Sequence, residues 1–406
     1  MKKNIFFYVL VMPVILCSFF CISNGYAQEK VKSGFIEAGS DKLYYEEAGE
    51  GETIVFVHDG LLHSVTWDYQ FSFFSDKYHV VRYDRRGYGK STDPEKQYSN
   101  IEDLNEIFKQ LKIEQAHLIG MSAGGGLCID FTLQYPEKVR SLVLVGAVVS
   151  GFPYTQHFLT RGGHFQPSDY SSYEALAKYY FTKDPYTMYE KNTAAREKGL
   201  KIINEFQHNL YREKSRLNTG RNPQAINSLN KINVPALIIV GEYDIPDCFV
   251  HAGAMKAGIP NSRMVIINDA GHHVPTEKPD ELNTSILLFY NESDFLFMVD
   301  KEDVFTAVSH FTEKFKTNKN DVVISENTIN QLGYRYLVQG KIKEAVELFK
   351  LNILFYPDSW NVYDSLAEAY MTDGNKELAV KNYEKSLELN PENSNAVEML
   401  KKLEKE

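Results

Sequence analysis

The stretch Leu118–Leu127, LIGMSAGGGL, places a serine between glycines directly after an apolar run. By composition alone a G-x-S-x-G string turns up in roughly one chain in ten of this length, so its surroundings decide its meaning. AHLIGM reads as a short apolar strand, and Ala123 to Gln134 as a helix that stops before Tyr135-Pro136. Gly120 and Gly124 stand where strand and helix close on one another and a side chain would collide, and Gly125 and Gly126 extend the close packing. Such an elbow holds the Ser122 hydroxyl out at the strand end, over the first turn of the new helix. The amides there favour a developing negative charge.

On both sides of the elbow, short β-branched or aromatic runs alternate with helical stretches. Between about residues 34 and 148, KLYYEEAG, TIVFVHDG, HVVRYD and RSLVLVGAVV read as further strands, and IEDLNEIFKQLKI as a helix. Alternation of this kind predicts an α/β fold with a mostly parallel, doubly wound sheet covered on both faces. Residues 151 to about 229 break the rhythm with a polar, Tyr-rich helical block. The block reads either as a lid over the carboxyl ends of the strands or as a subdomain with no role in access. The rhythm returns with VPALIIVGEYD and RMVIIND, and a helix is expected from about Pro279 to Tyr290.

A serine hydroxyl becomes an effective nucleophile only when a base accepts its proton. NDAGHHVPTEKPDELN, after the last expected strand, offers His272, with His273 as the alternative. The third member of such a set is a carboxylate that orients the imidazole and stabilises its cation. Asp244, just beyond IIVG, fits that role, with Asp247 as the alternative. The candidate catalytic residues therefore follow one another as Ser122, Asp244 and His272, each at the end of a different strand.

In this order, and with this elbow, residues 34–290 resemble the α/β-hydrolase family. HDGLLHSVTWD resembles the family's oxyanion loop, YDRRGYGKS its D-x-R-G-x-G-x-S stretch, and YPEKVRSLVLV the return from the elbow helix into the next strand. The resemblance implies an oxyanion hole made by the backbone N–H groups of Gly60 and Ala123. Three departures stand out. Asp59 occupies a position where many relatives have glycine, and its carboxylate opposes charge development at the oxyanion site unless it is turned away. Met121 replaces a histidine often found before the nucleophile, which alters packing more than chemistry. The nucleophile is Ser rather than Asp, which disfavours haloalkane dehalogenase or epoxide hydrolase chemistry. His58, Asp84, Arg86 and Ser91 read as a turn network near the site rather than as substrate contacts.

The tail follows a different rule. Leu332, Tyr336, Gly340, Ala345, Phe349 and Pro357 recur as Leu366, Tyr370, Gly374, Ala379, Tyr383 and Pro391, each displaced by 34 residues. A period of that length, with Gly between helices, Ala and an aromatic on the second helix and Pro after it, resembles the tetratricopeptide repeat (TPR). The units are 326–359 and 360–393, with SNAVEMLKKLEKE as a capping helix over 394–406 and a connector at 291–325. That connector keeps FLFMV and VFTAVSHF, which are apolar enough to pack. Two repeats and a cap fall short of the usual minimum of three, so the array is expected to lean on the hydrolase-like domain or on another protomer.

At 406 residues, with 43% hydrophobic and 24% charged residues, the composition is that of a globular protein of two domains. A net charge of −10 without a long interior basic run argues against nucleic acid as a partner. MKKNIFFYVLVMPVILCSFFCISNGYAQ has the basic start, apolar stretch and small residues of a signal peptide spanning 1–27 and cleaved near Ala27, with an uncleaved membrane anchor as the alternative. The protein is thus expected to be exported. Cys17 and Cys21 leave with that segment, and Cys128 and Cys248 read as small core residues rather than a disulfide or metal site. No metal motif is present, and no cofactor is expected. The function expected is that of a serine hydrolase cleaving a small-molecule carboxylic ester or lactone through an acyl-enzyme; amide or carbon–carbon cleavage suits the same residues. Aromatic residues in the lid point to a partly apolar substrate, and the tail to a protein partner or self-association. The competing reading is a non-catalytic interaction protein that works through its repeats, with the hydrolase fold as scaffold.

Overall fold

The computed structural model describes residues 31–160, 173–205, 217–222 and 224–405. The segment read as a signal peptide lies outside them, as do 161–172 and 206–216 of the inserted block. Among the described residues, no helix is long and apolar enough to cross a membrane.

Eight strands form one sheet: β1 (Lys32–Ala38), β2 (Asp41–Ala48), β3 (Thr53–Val57), β4 (His79–Tyr83), β5 (Ala116–Met121), β6 (Val139–Val145), β7 (Ala236–Gly241) and β8 (Ser262–Ile267). Their spatial order is β1-β2-β4-β3-β5-β6-β7-β8. The β1/β2 and β2/β4 pairs are antiparallel and every other pair is parallel. The sheet is the mostly parallel one that the alternation predicts. The edge strand β1 carries no comparable sequence signal, because four of its seven residues face solvent and only Ile36 and Ala38 are buried.

In the central strands the period of two divides the core into two layers. Val55, Val57, Leu118, Leu142, Leu144, Ile238 and Val240 pack under the helices Asn100–Gln110, Ala123–Gln134 and Pro246–Gly258. Ile54, Phe56, Ile119, Met121, Val143, Val145, Leu237 and Ile239 pack on the opposite face against Trp67, Phe71, Phe74, Leu282 and Ile286. Met121 is thus a plain core residue of the second layer.

The block between β6 and β7 contributes the helices Tyr173–Thr182 and Thr193–Glu205, which with Leu61 and Leu62 form a smaller apolar cluster of their own. The helix expected to end near Tyr290 runs on, as Pro279–Lys301. It continues because Phe295 and Val299 extend its apolar face beyond the sheet, onto the helix Val304–Thr317 and the first repeat. Four repeat helices follow, Glu326–Val338, Ile342–Phe355, Trp360–Thr372 and Lys376–Leu389, with Ser394–Lys405 last. Ala345, Phe349, Ala379 and Tyr383, the paired positions of the 34-residue period, are completely buried.

The array leans on the hydrolase-like body through one shared core, in which Phe295, Val299, Val304 and Phe311 meet Ile329, Leu332, Leu348 and Leu351. Glu292 reinforces the joint. Its buried carboxylate accepts from the Ser325 amide at 2.9 Å, from the Ser325 hydroxyl at 2.6 Å and from the Thr328 hydroxyl at 2.8 Å, and it pairs with Arg263 on β8.

Candidate active site

The elbow places Ser122 between β5 and the helix Ala123–Gln134 with φ 52° and ψ −118°. A non-glycine residue holds such a conformation only when its surroundings impose it. Methyl groups built on the neighbouring glycines show what imposes it. At Gly120 the methyl would lie 2.7 Å from Cys128 Sγ and from the Gly124 carbonyl oxygen, and at Gly125 it would lie 3.2 Å from Ala147 Cα. At Gly124 it would collide with the backbone at Val57 and His58. Strand and helix therefore touch along bare backbone, and the serine takes the strained turn between them. The Ser122 amide donates to the Val145 carbonyl at 2.9 Å, and the Ser122 carbonyl accepts from the Val148 amide at 3.3 Å. Both bonds fasten the elbow to the end of β6.

The same end of β6 backs onto the other two candidates. His272 Nδ1 and Asp244 Oδ1 are 2.8 Å apart and both residues are buried. Oδ1 also accepts from the Ile245 amide at 2.7 Å, which orients the carboxylate. Gly146, with φ +50°, lies directly beneath the pair: a methyl group there would stand 2.9 Å from both His272 Nδ1 and Asp244 Oδ2. Val145 to Val148 is thus the common wall that brings the end of β5, the turn after β7 and the loop after β8 to one place. The signal for Gly146 in the sequence is slight: it is the glycine that closes the run VLVG. Gly146→Ala should displace the imidazole and reduce kcat by about a hundredfold, the scale of a misplacement near 1 Å; steady-state kinetics beside a melting curve would separate this from unfolding.

The alternatives sit elsewhere. Asp247 accepts from the Thr155 amide at 2.7 Å and the Thr155 hydroxyl at 2.8 Å, so its carboxylate anchors the start of the inserted block. The His273 ring is fully buried and packs at 5.7 Å from the Phe181 ring. Cys248, expected as a core residue, is buried, and its Sγ lies 3.7 Å from His272 Nδ1. Asp244, Cys248 and His272 thus offer three donor atoms within 4.8 Å of one another. The hydrogen bond of the histidine–carboxylate pair and the i, i+4 placement of Asp244 and Cys248 account for that grouping.

Gly60 faces the elbow, since a methyl group on it would lie 3.7 Å from Ala123 Cβ. The Asp59 carbonyl accepts from Arg85 Nη2 and from His58 Nδ1, the latter at 2.8 Å. A peptide is planar and trans, so fixing the Asp59 carbonyl on one side turns the Gly60 N–H to the other. Ala123 supplies the first amide of its helix, which has no partner within that helix. The Asp59 carboxylate is turned onward into its own loop, accepting from the amides of Leu61 at 2.5 Å and Leu62 at 2.9 Å. Burial pushes its pKa up, but His273, His58 and these two amides more than offset this and hold it below the ordinary range.

His58, Asp84, Arg86 and Ser91 are occupied with the loops. Burial and the nearby Arg85 hold His58 down to about 3, so its neutral ring accepts from the Arg85 amide at 2.9 Å. Asp84 is buried, but His63 and Ser64 keep it ionised, at about 2. Arg86 makes a two-pronged contact with Asp103, at 2.9 and 2.6 Å. The Ser91 hydroxyl donates to the Asp84 carbonyl at 2.6 Å.

The inserted block reaches the histidine loop as well. The His272 and His273 amides donate to the carbonyls of Tyr186 and Thr187, at 2.8 and 3.1 Å. Glu277 accepts from the Gly271 amide at 2.9 Å and the Tyr189 amide at 2.5 Å. Burial pushes Glu277 up to about 7 against the pull of those two amides. Nothing in its local sequence marks this bridge, because its second partner lies 88 residues away.

Comparison with known proteins agrees with this architecture. The chain is 28% identical over 268 residues to a putative 2-succinyl-6-hydroxy-2,4-cyclohexadiene-1-carboxylate synthase of Bacillus subtilis (strain 168), covering 59% of this chain and 92% of that protein. It is 24% identical to the 2-hydroxy-6-oxo-6-phenylhexa-2,4-dienoate hydrolase of Comamonas testosteroni, over 62% of this chain and 91% of the relative. Among solved structures, a bromoperoxidase from Bacillus anthracis superposes with a TM-score of 0.54 at 24% identity, over 64% of this chain and 99% of its own. The profile of the tetratricopeptide repeat matches residues 361–393. The profile of the alpha/beta hydrolase fold matches residues 52–279, more than half of the chain, and spans the elbow, the buried histidine–carboxylate pair and the sheet that joins them: the protein belongs to the alpha/beta hydrolase fold family and carries a tetratricopeptide repeat in its tail.

Proposed function

We propose that the protein is an exported serine hydrolase that cleaves a carboxylic ester or lactone through an acyl-enzyme. The observation that carries this reading is the buried His272–Asp244 hydrogen bond of 2.8 Å, held against the same β6 end that fastens the Ser122 elbow. With Nδ1–H given to Asp244, the other ring nitrogen of His272 is the base. It takes the Ser122 proton as Oγ bonds to the substrate carbonyl carbon, and the carbonyl electrons move onto oxygen, where the Gly60 and Ala123 amides stabilise them. Collapse of this intermediate expels the alcohol, which takes the proton from His272. Water then attacks the acyl-enzyme by the same path and releases the acid. These steps draw on side chains and backbone amides alone. An activated carbon–carbon bond beside a carbonyl suits the same machinery.

Export rests on the layout of residues 1–27, with cleavage near Ala27. The tail is assigned a protein partner or self-association, supported by its repeat match. A fluorophosphonate probe tests the catalytic reading directly. Covalent labelling of the folded protein that disappears in Ser122→Ala is expected; a folded, unlabelled protein would leave the interaction-scaffold reading instead.

A further inference from the structure

A cavity of about 270 Å³ opens beside the elbow, and Ala123, Gly126, Leu127 and Asp130 line it from one face of the elbow helix. Three charged side chains reach it: Arg85, Asp130 and Arg221. Arg85 is the unusual one. Only 6% of its surface is exposed, yet no carboxylate lies within ion-pair distance of its guanidinium among the described residues. Nη2 donates to the Asp59 carbonyl, the group stands 4.8 Å over the Tyr88 ring, and the buried Nε has no hydrogen-bond partner among the described residues. A buried cation in this state is costly unless an anion meets it.

Asp130 does not serve as that anion. Its Oδ2 accepts from the Ser150 hydroxyl at 2.8 Å and the Asn222 amide at 3.3 Å, and the charge it feels most directly is that of Arg221. Burial pushes Asp130 up to about 6, so part of its population is neutral near neutral pH. With Asp130 and Arg221 offsetting one another, the cavity keeps one positive charge, that of Arg85. A single flat monoanion matches the planar fork of a guanidinium, whereas a phosphate dianion would bring more charge close to Asp130.

We propose that this cavity is a specificity site for a carboxylate on the substrate, and that Arg85 is the residue that recognises it, with Arg221 at the outer wall. The assignment rests on the reading of Ser122 as nucleophile, because the carboxylate is placed relative to the bond that Ser122 attacks. A protein whose net charge is −10 would thus select an anionic small molecule by one local charge against its overall field.

Two matched ester pairs test this on the full chain. Mono-4-nitrophenyl glutarate is compared with 4-nitrophenyl pentanoate, and 4-carboxyphenyl pentanoate with phenyl pentanoate, so that the carboxylate is offered on either side of the scissile bond. In at least one pair the anionic ester is expected to have a kcat/KM about tenfold or more above its neutral partner, the scale of a charge-assisted hydrogen bond. Arg85→Met should collapse that ratio, Arg85→Lys should retain part of it, and Arg221→Gln should lower it less. The ratio is the readout because Arg85 also holds the Asp59 carbonyl, and its loss slows both members of a pair. No preference for the anion in either pair, or a preference that survives both Arg85→Met and Arg221→Gln, overturns the proposal. If no ester of either kind is turned over, the hydrolytic reading has failed instead. Calorimetric titration of the Ser122→Ala protein with glutarate then decides the cavity alone: binding that is lost on adding Arg85→Met upholds it, and no binding refutes it.

Discussion

Replacing His272 by alanine is expected to reduce kcat on a carboxylic ester by about a millionfold, with His273→Ala retaining most of the turnover that its stability allows. The two residues are neighbours in the chain but not in chemistry. His272 Nδ1 is engaged by Asp244, which leaves the other ring nitrogen as the one that the proposed mechanism uses as base. His273 is buried at the base of the inserted block, against Phe181. Its loss removes packing, and the cost belongs in the melting temperature and not in kcat. Ser122→Ala should match His272→Ala, and the double variant should be little worse than either, because residues that act as one unit lose their contribution together. Steady-state kinetics on the three variants, with a melting curve for each, checks this; loss of turnover in His273→Ala with His272→Ala active would move the base by one position.

Asp244→Asn is the second large effect, about ten-thousandfold in kcat with the geometry nearly intact. An amide in place of the carboxylate can present its NH2 to Nδ1 and invert the tautomer, so the nitrogen needed as base carries the proton instead. It also removes the charge that stabilises the imidazolium. Asp247→Asn is the matched control. That carboxylate holds Thr155 at the start of the inserted block, so its substitution should act through that block and not through the imidazole, and appear mainly in KM. A kcat loss in Asp247→Asn as large as that in Asp244→Asn would reassign the acid.

Much of this arrangement is written in local patterns. The strand–serine–helix elbow announces itself because only glycine tolerates the contacts at positions 120, 124 and 125, and the fully buried strands announce themselves as unbroken apolar runs. The 34-residue period of the tail is legible for the same reason, since each repeat must bury the same Ala and aromatic positions. The extension of the last hydrolase helix to Lys301 is less legible. Its final turns bury Phe295 and Val299 against the repeat array and not against the sheet, so their partners come from a different part of the chain.

By itself, the sequence determined the class of fold, the place of the serine and the short list of histidines and carboxylates able to serve it, because backbone sterics and burial periodicity act over a few residues. Only the tertiary structure decided which of the two histidines meets which of the two carboxylates. That choice depends on Gly146 leaving room beneath the imidazole and on Ile245 turning the Asp244 carboxylate. The Glu277 bridge and the burial of Arg85 away from any carboxylate among the described residues were likewise settled in three dimensions. Hydrogen bonds and charge balance are set by distance through space, and the deciding partners lie far apart along the chain: 26 positions for Arg85 and Asp59, 28 for His272 and Asp244, and 88 for Glu277 and Tyr189.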